Sequence, residues 1–199
     1  KIVVAGVADN DFAVVRYTAS GALDASFGSG GKMITPIGSD FDEARAVAIQ
    51  ADGKIVVAGS TLTGANHDFA VARYKTTGQP DETFDTDGKV VTSIKALSDY
   101  AYGVAIQADG KILVVGSCYD GSDAEFALAR YEPSGQLDTS FDTDGIVTTD
   151  IGGFADIAYA VAIQSDGKIV VAGVTHNGTN DDFVLARYET DGDLDLTFD

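Results

Sequence analysis

The stretch Lys54-Ile55-Val56-Val57-Ala58-Gly59 decides how this chain folds, because it occurs three times and a fourth time in variant form. KIVVAG stands at Lys1 and again at Lys54 and Lys168, and KILVVG stands at Lys111. The partner run FAVVRY at Phe12 returns in variant form at Phe69, Phe126 and Phe183, 57 residues apart each time. A turn of LDxSF type ends on Phe27, Phe84, Phe141 and Phe198 with the same period. Self-similarity at a fixed period is the mark of a repeat architecture and takes precedence over residue-level reading. The first loop, Val7 to Asp11, is four residues shorter than its counterparts, so Lys1 to Lys54 is 53 residues. The repeat units are thus approximately 1–53, 54–110, 111–167 and 168–199, forming a single array over residues 1–199.

Short runs of β-branched and aromatic residues bounded by Gly and Asp predict four strands per repeat. In the second repeat they are Arg45 to Gln50, Lys54 to Gly59, Phe69 to Tyr74 and Lys89 to Ile94. Asp52-Gly53, Asp109-Gly110 and Asp166-Gly167 supply the tight turn between the first two. The two middle strands are apolar at nearly every position, as in sheets covered on both faces. No segment keeps a 3.6-residue period, so the cover must be neighbouring sheets. The pattern predicts an all-β protein: a β-propeller of about 57-residue, four-stranded antiparallel blades. Arg45 to Gln50 should be innermost, where Ala46 and Ala48 suit a crowded axis, and Lys89 to Ile94 outermost. Fourteen strands are expected where four blades would carry sixteen, so the ring is incomplete in one chain.

The chain has 199 residues, with 31 acidic against 13 basic side chains and a net charge of -18. Such a charge repels phosphate backbones and anionic headgroups, which argues against nucleic-acid partners. No apolar stretch approaches the roughly 18 residues of a membrane span, and membrane insertion is not expected. Beginning at Lys1 within a strand, the chain reads as a processed or excised piece. The one cysteine, Cys118, has no internal disulfide partner and reads as a passive small side chain.

The motifs DGKIVVAG (Asp52 to Gly59), DFAVARY (Asp68 to Tyr74), LDTSFDTDG (Leu137 to Gly145) and YAVAIQSDG (Tyr159 to Gly167) resemble the delta-60 repeat family, a bacterial β-propeller repeat of unknown function. The resemblance covers nearly the whole chain. It implies a secreted or cell-surface setting and implies no reaction.

Arg16, Arg73, Arg130 and Arg187 share a strand face with Phe12, Phe69, Phe126 and Phe183, because positions two apart face the same way. They are expected to be buried and to clasp Asp24, Asp81, Asp138 and Asp195 as structural pairs. Asp85, Asp87, Asp142 and Asp144 in the two FDTDG turns are the acids a calcium ion would use, but turn chemistry accounts for them better. His67 and His176 are not at equivalent positions and read as exposed loop residues. Tyr17, Tyr74, Tyr131 and Tyr188 recur in every repeat, as packing residues do, and Trp is absent.

Sequence differences between repeats concentrate after KIVVAG, over Val7 to Asp11, Ser60 to Asp68, Ser117 to Glu125 and Val174 to Asp182. Variation at one end of a fixed scaffold suits recognition, with Asn66, His67, Tyr119, Asp120, His176 and Asn177 as ligand-binding candidates. The expected role is a non-catalytic, secreted or cell-surface scaffold for protein contact or self-association, without a cofactor. Glycan recognition is the alternative, and a hydrolase or lyase the third reading.

Overall fold

The computed structural model describes residues 1–198, so Asp199, the last residue of the array read from the sequence, lies outside the described residues. Each apolar run becomes a strand. The first repeat forms β1 (Ile2–Ala8), β2 (Asp11–Tyr17) and β3 (Lys32–Thr35). The second forms β4 (Asp42–Ile49), β5 (Ile55–Thr63), β6 (Asn66–Tyr74) and β7 (Lys89–Thr92). The third forms β8 (Asp99–Ile106), β9 (Ile112–Tyr119), β10 (Ala124–Tyr131) and β11 (Ile146–Thr149), and the last β12 (Ala155–Ile163), β13 (Ile169–His176) and β14 (Asp181–Tyr188). There are fourteen strands and no helix among the described residues.

Neighbouring strands within each repeat pair antiparallel in sequence order, with β4 and β7 at the edges of the second sheet and β5 and β6 between them. The third and last repeats are joined by one parallel pair, Ala124 with Ala155. The Asp-Gly turns form as the local chemistry requires. Gln50 and Lys54 pair across the turn, Gly53 takes φ +83°, and the Asp52 carboxylate accepts the Lys54 N–H at 3.0 Å.

Strand limits differ from the sequence reading at the variable end. The β5–β6 hairpin continues to the pair Thr63 with Asn66, so most of the expected loop Ser60 to Asp68 is strand. Backbone pairing does not need apolar side chains, and Ser60, Thr61 and Asp68 are buried as the ladder extends. β4 likewise begins earlier, at Asp42, and β7 stops at Thr92.

Sheets stack face to face in chain order. Phe12 and Val14 of the first sheet meet Ile55, Val57, Ala70, Ala72 and Tyr74 of the second. Val56, Ala58, Phe69 and Val71 meet Ile112, Val114, Ala127, Ala129 and Tyr131. Leu113, Val115, Phe126 and Leu128 meet Ile169, Val171, Ala186 and Tyr188. One strand face always looks to the preceding sheet and the other to the following one, the period-two consequence of burying both faces.

The first strands β4, β8 and β12 lie side by side, and each carries a bulge, at Arg45, Tyr102 and Tyr159. The bulge presses the preceding backbone against KIVVAG. A Cβ on Gly59 would stand 1.9 Å from the Glu43 carbonyl oxygen, and Gly116 faces the Tyr100 carbonyl at the same distance. Close backbone approach therefore demands the glycine that ends each KIVVAG or KILVVG run paired to a first strand.

Candidate functional site

The bulged position is where the repeats differ in chemistry at a place where their backbones agree. Arg45, Tyr102 and Tyr159 are 57 residues apart, and the bulges bring them into one file. The Arg45 guanidinium sits 4.6 Å from the Tyr102 ring centre, and Tyr102 meets Tyr159 edge-on at 5.2 Å. Arg45 also lies 5.6 Å from Tyr100, whose ring stacks at 4.9 Å with His67. Desolvation works against the Arg45 charge, but the Glu43 carboxylate, 2.6 Å from Nη2, and the Tyr102 hydroxyl together outweigh it and raise the pKa.

Beside this file, a cleft of about 340 Å³ opens at the end of the sheets that carries the β5–β6, β9–β10 and β13–β14 hairpins. Tyr100, Tyr102 and Tyr119 line it with Ser98, Ser117 and Ile157. Three tyrosines and two serines give apolar faces with hydroxyl donors and acceptors, a set that can hold a side chain or a sugar ring.

Asp99, paired with the cleft residue Cys118, is one of a recurrent set of acids. Asp42, Asp99 and Asp156 accept backbone N–H groups of Ile37, Ile94 and Ile151 at 2.6–2.7 Å, tying each linker to the strand after it. In the second sheet, Thr61 donates its hydroxyl to the other Asp42 oxygen at 2.5 Å. Cys118 stands in that threonine's place in the third sheet, and Asp99 Oδ1 is buried without a partner; in the last sheet Thr175 donates to the Gly152 carbonyl instead, and Asp156 Oδ1 is likewise without one. Burial pushes the Asp99 pKa up to about 6, against the pull of the Ile94 and Lys95 N–H groups. Burial also raises the Cys118 thiol to about 12, so it is a poor nucleophile.

The variable residues divide between strand and turn. Asn66 opens β6 and donates to the Ala96 carbonyl at 3.1 Å, so this hairpin holds the next linker. His67 is a half-buried strand residue rather than an exposed loop residue, because the hairpin ladder runs through it. His176 is likewise a strand residue and not a loop residue, closing β13 in register with Asp181, whose carboxylate lies 2.8 Å from its Nδ1. Tyr119 ends β9, and Asp120 in the following turn accepts from Ser122, which lowers its pKa. Asn177 donates to Asp182 at 2.7 Å. Oxygens of Asp120, Asp123 and Glu125 lie within 4.8 Å of one another, the one such acidic group among the described residues.

At the opposite end, Arg16, Arg73 and Arg130 are buried. Their Nε atoms reach Asp24, Asp81 and Asp138 at 2.7, 2.8 and 2.6 Å. Nη1 of each crosses to the next repeat, onto the carbonyls of Thr76, Pro133 and Thr190, and a phenylalanine ring packs under each guanidinium. A lysine shares every carboxylate: Lys1, Lys54, Lys111 and Lys168. Arg187 keeps Asp195 at 2.7 Å but is half-buried, with no following sheet among the described residues. Desolvation raises Asp81, yet Lys54, Thr83 and Arg73 together hold it at about 2. In the FDTDG turns, Asp87 and Asp144 accept the N–H two residues on, while Asp85 accepts from Gln136 at 2.7 Å. The Asp142 N–H donates to the Asp191 carbonyl of the next repeat.

The sequence reading missed Arg45, Tyr100, Tyr102, Tyr159 and the recurrent Asp42, Asp99 and Asp156. A usable signal existed: Arg45 departs from the tyrosine that Tyr102 and Tyr159 keep at its repeat position, Tyr100 stands where the other repeats have Glu43 and Ile157, and the acids hold the 57-residue spacing.

No curated protein matches the chain. Among solved structures it is similar to a Bacteroides caccae protein of unknown function, at 15% identity and TM-score 0.43 over 90% of this chain and 55% of that one. It is similar to a gluconolactonase from Xanthomonas campestris at 16% identity and TM-score 0.46, over 91% and 53%. A fucose lectin from Kordia zhangzhouensis is similar at 12% identity and TM-score 0.41, over 75% and 94%. The chain thus spans about half the length of the first two. Residues 1–27, 50–84, 107–141 and 164–198 match the repeat described as "Domain of unknown function (DUF5122) beta-propeller", and with most of its length matched the chain belongs to that β-propeller family.

Proposed function

We propose that this chain is a non-catalytic contact module of secreted or cell-surface proteins, binding a protein partner through its hairpin end. The carrying observation is the file Arg45, Tyr102 and Tyr159 with the adjoining cleft of Tyr100 and Tyr119. Tyrosine and arginine dominate the energetic centres of protein interfaces, since they bury much area with few rotatable bonds and keep a polar end. The acids around the cleft, Asp120, Asp123 and Glu125 among them, favour a basic partner surface. The perturbed carboxylates Asp24, Asp81, Asp138 and Asp195 serve repeated clasps at the other end, which supports a structural role for them.

Binding of the purified chain to an array of extracellular protein domains tests this. Tyr102→Ala should weaken the bound proteins roughly 30-fold, as loss of an interface anchor does, and added salt should weaken them further. Protein binding indifferent to both Tyr102→Ala and Tyr119→Ala would refute the assignment. Glycan recognition is the second reading, favoured by the hydroxyl-lined aromatic cleft. A glycan-array signal lost in Tyr102→Ala would establish it, and turnover of a polysaccharide would favour a hydrolase or lyase.

A further inference from the structure

Arg45 is the one arginine of five that serves no clasp. Around Arg16, Arg73 and Arg130 all three guanidinium nitrogens are hydrogen-bonded within the chain. Arg45 has fewer partners. The Glu43 carboxylate accepts from Nη2 at 2.6 Å, the Tyr102 hydroxyl lies close enough to raise the guanidinium pKa, and Nε is buried without a partner. Nη1 makes no hydrogen bond among the described residues and is not buried. A guanidinium carries five N–H donors, so hydrogens on the Nη atoms remain free for an acceptor from outside the chain. The side chain is 25% exposed, so its neighbours do not seal it.

The next two repeats place tyrosine at the same point. First strands β4, β8 and β12 meet at two junctions, both inside the array, and their bulges set Arg45, Tyr102 and Tyr159 at matching positions of the backbone. At the β8–β12 junction, Tyr102 and Tyr159 meet edge-on at 5.2 Å. At the β4–β8 junction, the guanidinium stands 4.6 Å from the Tyr102 ring centre. One junction therefore offers a cation beside tyrosine, and the other offers tyrosine alone.

We propose that Arg45 receives a carboxylate of the protein partner, an Asp or Glu side chain that accepts from Nη1, with the Tyr102 hydroxyl as a second donor. This rests on the reading of the hairpin end as a protein-contact surface. A guanidinium–carboxylate hydrogen bond is charge-assisted and directional, so it fixes position as well as adding affinity. Glu43, Asp120, Asp123 and Glu125 lie at the same end and repel a carboxylate that stands alone. The fitting partner surface thus carries one carboxylate flanked by Lys or Arg, the inverse of one cation among acids. Near-identical repeats offer near-identical junctions, and a partner of this kind is held at β4–β8 because the β8–β12 junction has no cation for its carboxylate.

The extracellular protein domains that wild type binds on an array test the inference when they are titrated with Arg45→Tyr. Tyrosine is the residue at the same bulge in the next two repeats, and circular dichroism verifies that the variant folds. Arg45→Tyr should weaken each bound domain about tenfold or more, through loss of one charge-assisted hydrogen bond. Replacing Asp by Asn and Glu by Gln one at a time in those domains should reveal one carboxylate whose loss weakens binding to wild type by a similar factor and leaves binding to Arg45→Tyr unchanged, the coupling of a direct pair. Domains that need Tyr102 yet bind wild type and Arg45→Tyr within about twofold of each other would overturn the carboxylate site and leave the contact surface standing. A loss in Arg45→Tyr that couples to no carboxylate of the partner would overturn it as well. Domains indifferent to both Tyr102→Ala and Tyr119→Ala, or an array that binds none, would remove the contact surface and the carboxylate site together.

Discussion

Removing the Arg73 guanidinium should reveal how much one clasp contributes to holding two repeats together. Arg73 bonds Asp81 at 2.8 Å, Thr83 at 3.0 Å and the Pro133 carbonyl of the next repeat at 2.6 Å, over the Phe84 ring at 4.8 Å. Its side chain is 4% exposed and that of Asp81 is 2%. Breaking a buried pair typically costs about 3 to 5 kcal/mol, because the surviving charge is left without its partner. Lys54 remains 3.0 Å from Asp81, so Arg73→Ala should fall at the lower end, about 3 kcal/mol. Arg187→Ala is the internal comparison. Arg187 is 20% exposed and makes no inter-repeat bond, so its loss should be about 1 to 2 kcal/mol smaller, the difference of one carbonyl bond and its burial. Urea unfolding followed by circular dichroism, at concentrations where the chains sediment as monomers, reads both values. Equal losses for the two variants would refute the inter-repeat arm, and a loss below about 1 kcal/mol for Arg73→Ala would reduce the clasp to a surface ion pair.

Three further outcomes follow from the same geometry. Gly59→Ala should destabilise by about 1 to 3 kcal/mol or more, because its Cβ meets the Glu43 carbonyl, whereas Gly6→Ala, with nothing within 4 Å, should be near neutral in the same urea experiment. Cys118→Thr should restore the hydroxyl that Asp42 receives from Thr61 and stabilise by about 1.5 kcal/mol at pH 7. Asp99 sits at about 6 when folded, above its unfolded value, so wild type should lose on the order of 2 kcal/mol as pH rises from 4 through 6; Cys118→Thr should flatten that fall, and unchanged pH profiles would contradict the orphaned carboxylate. Asp81 runs the other way: held at about 2, it contributes above the unfolded pKa near 4 and loses that contribution as pH drops through 2, giving an acid limb that Arg73→Ala should diminish.

Secondary structure and its pairing within a repeat were legible because they are local. Alternating and continuous runs such as Ile55 to Ala58 specify strands, Asp52-Gly53 specifies the hairpin, and the 57-residue period specifies stacked copies. The eight-residue step from each Arg to its Asp is local as well, crossing a second tight turn, Lys75 to Gln79 in the second repeat. Other features needed the tertiary structure. A bulge adds one residue and breaks period-two alternation, so the alignment of Arg45, Tyr102 and Tyr159 from three different repeats could not be read from strand parity. The lysine that shares each carboxylate comes from 23 or 27 residues upstream, and the carbonyl that each buried arginine grips comes from 60 residues downstream. The sequence by itself therefore determined an all-β repeat array, because strand, turn and period are written in neighbouring residues. Only the stacking of sheets decided where its aromatic file lies, because that depends on distances between residues a full repeat apart.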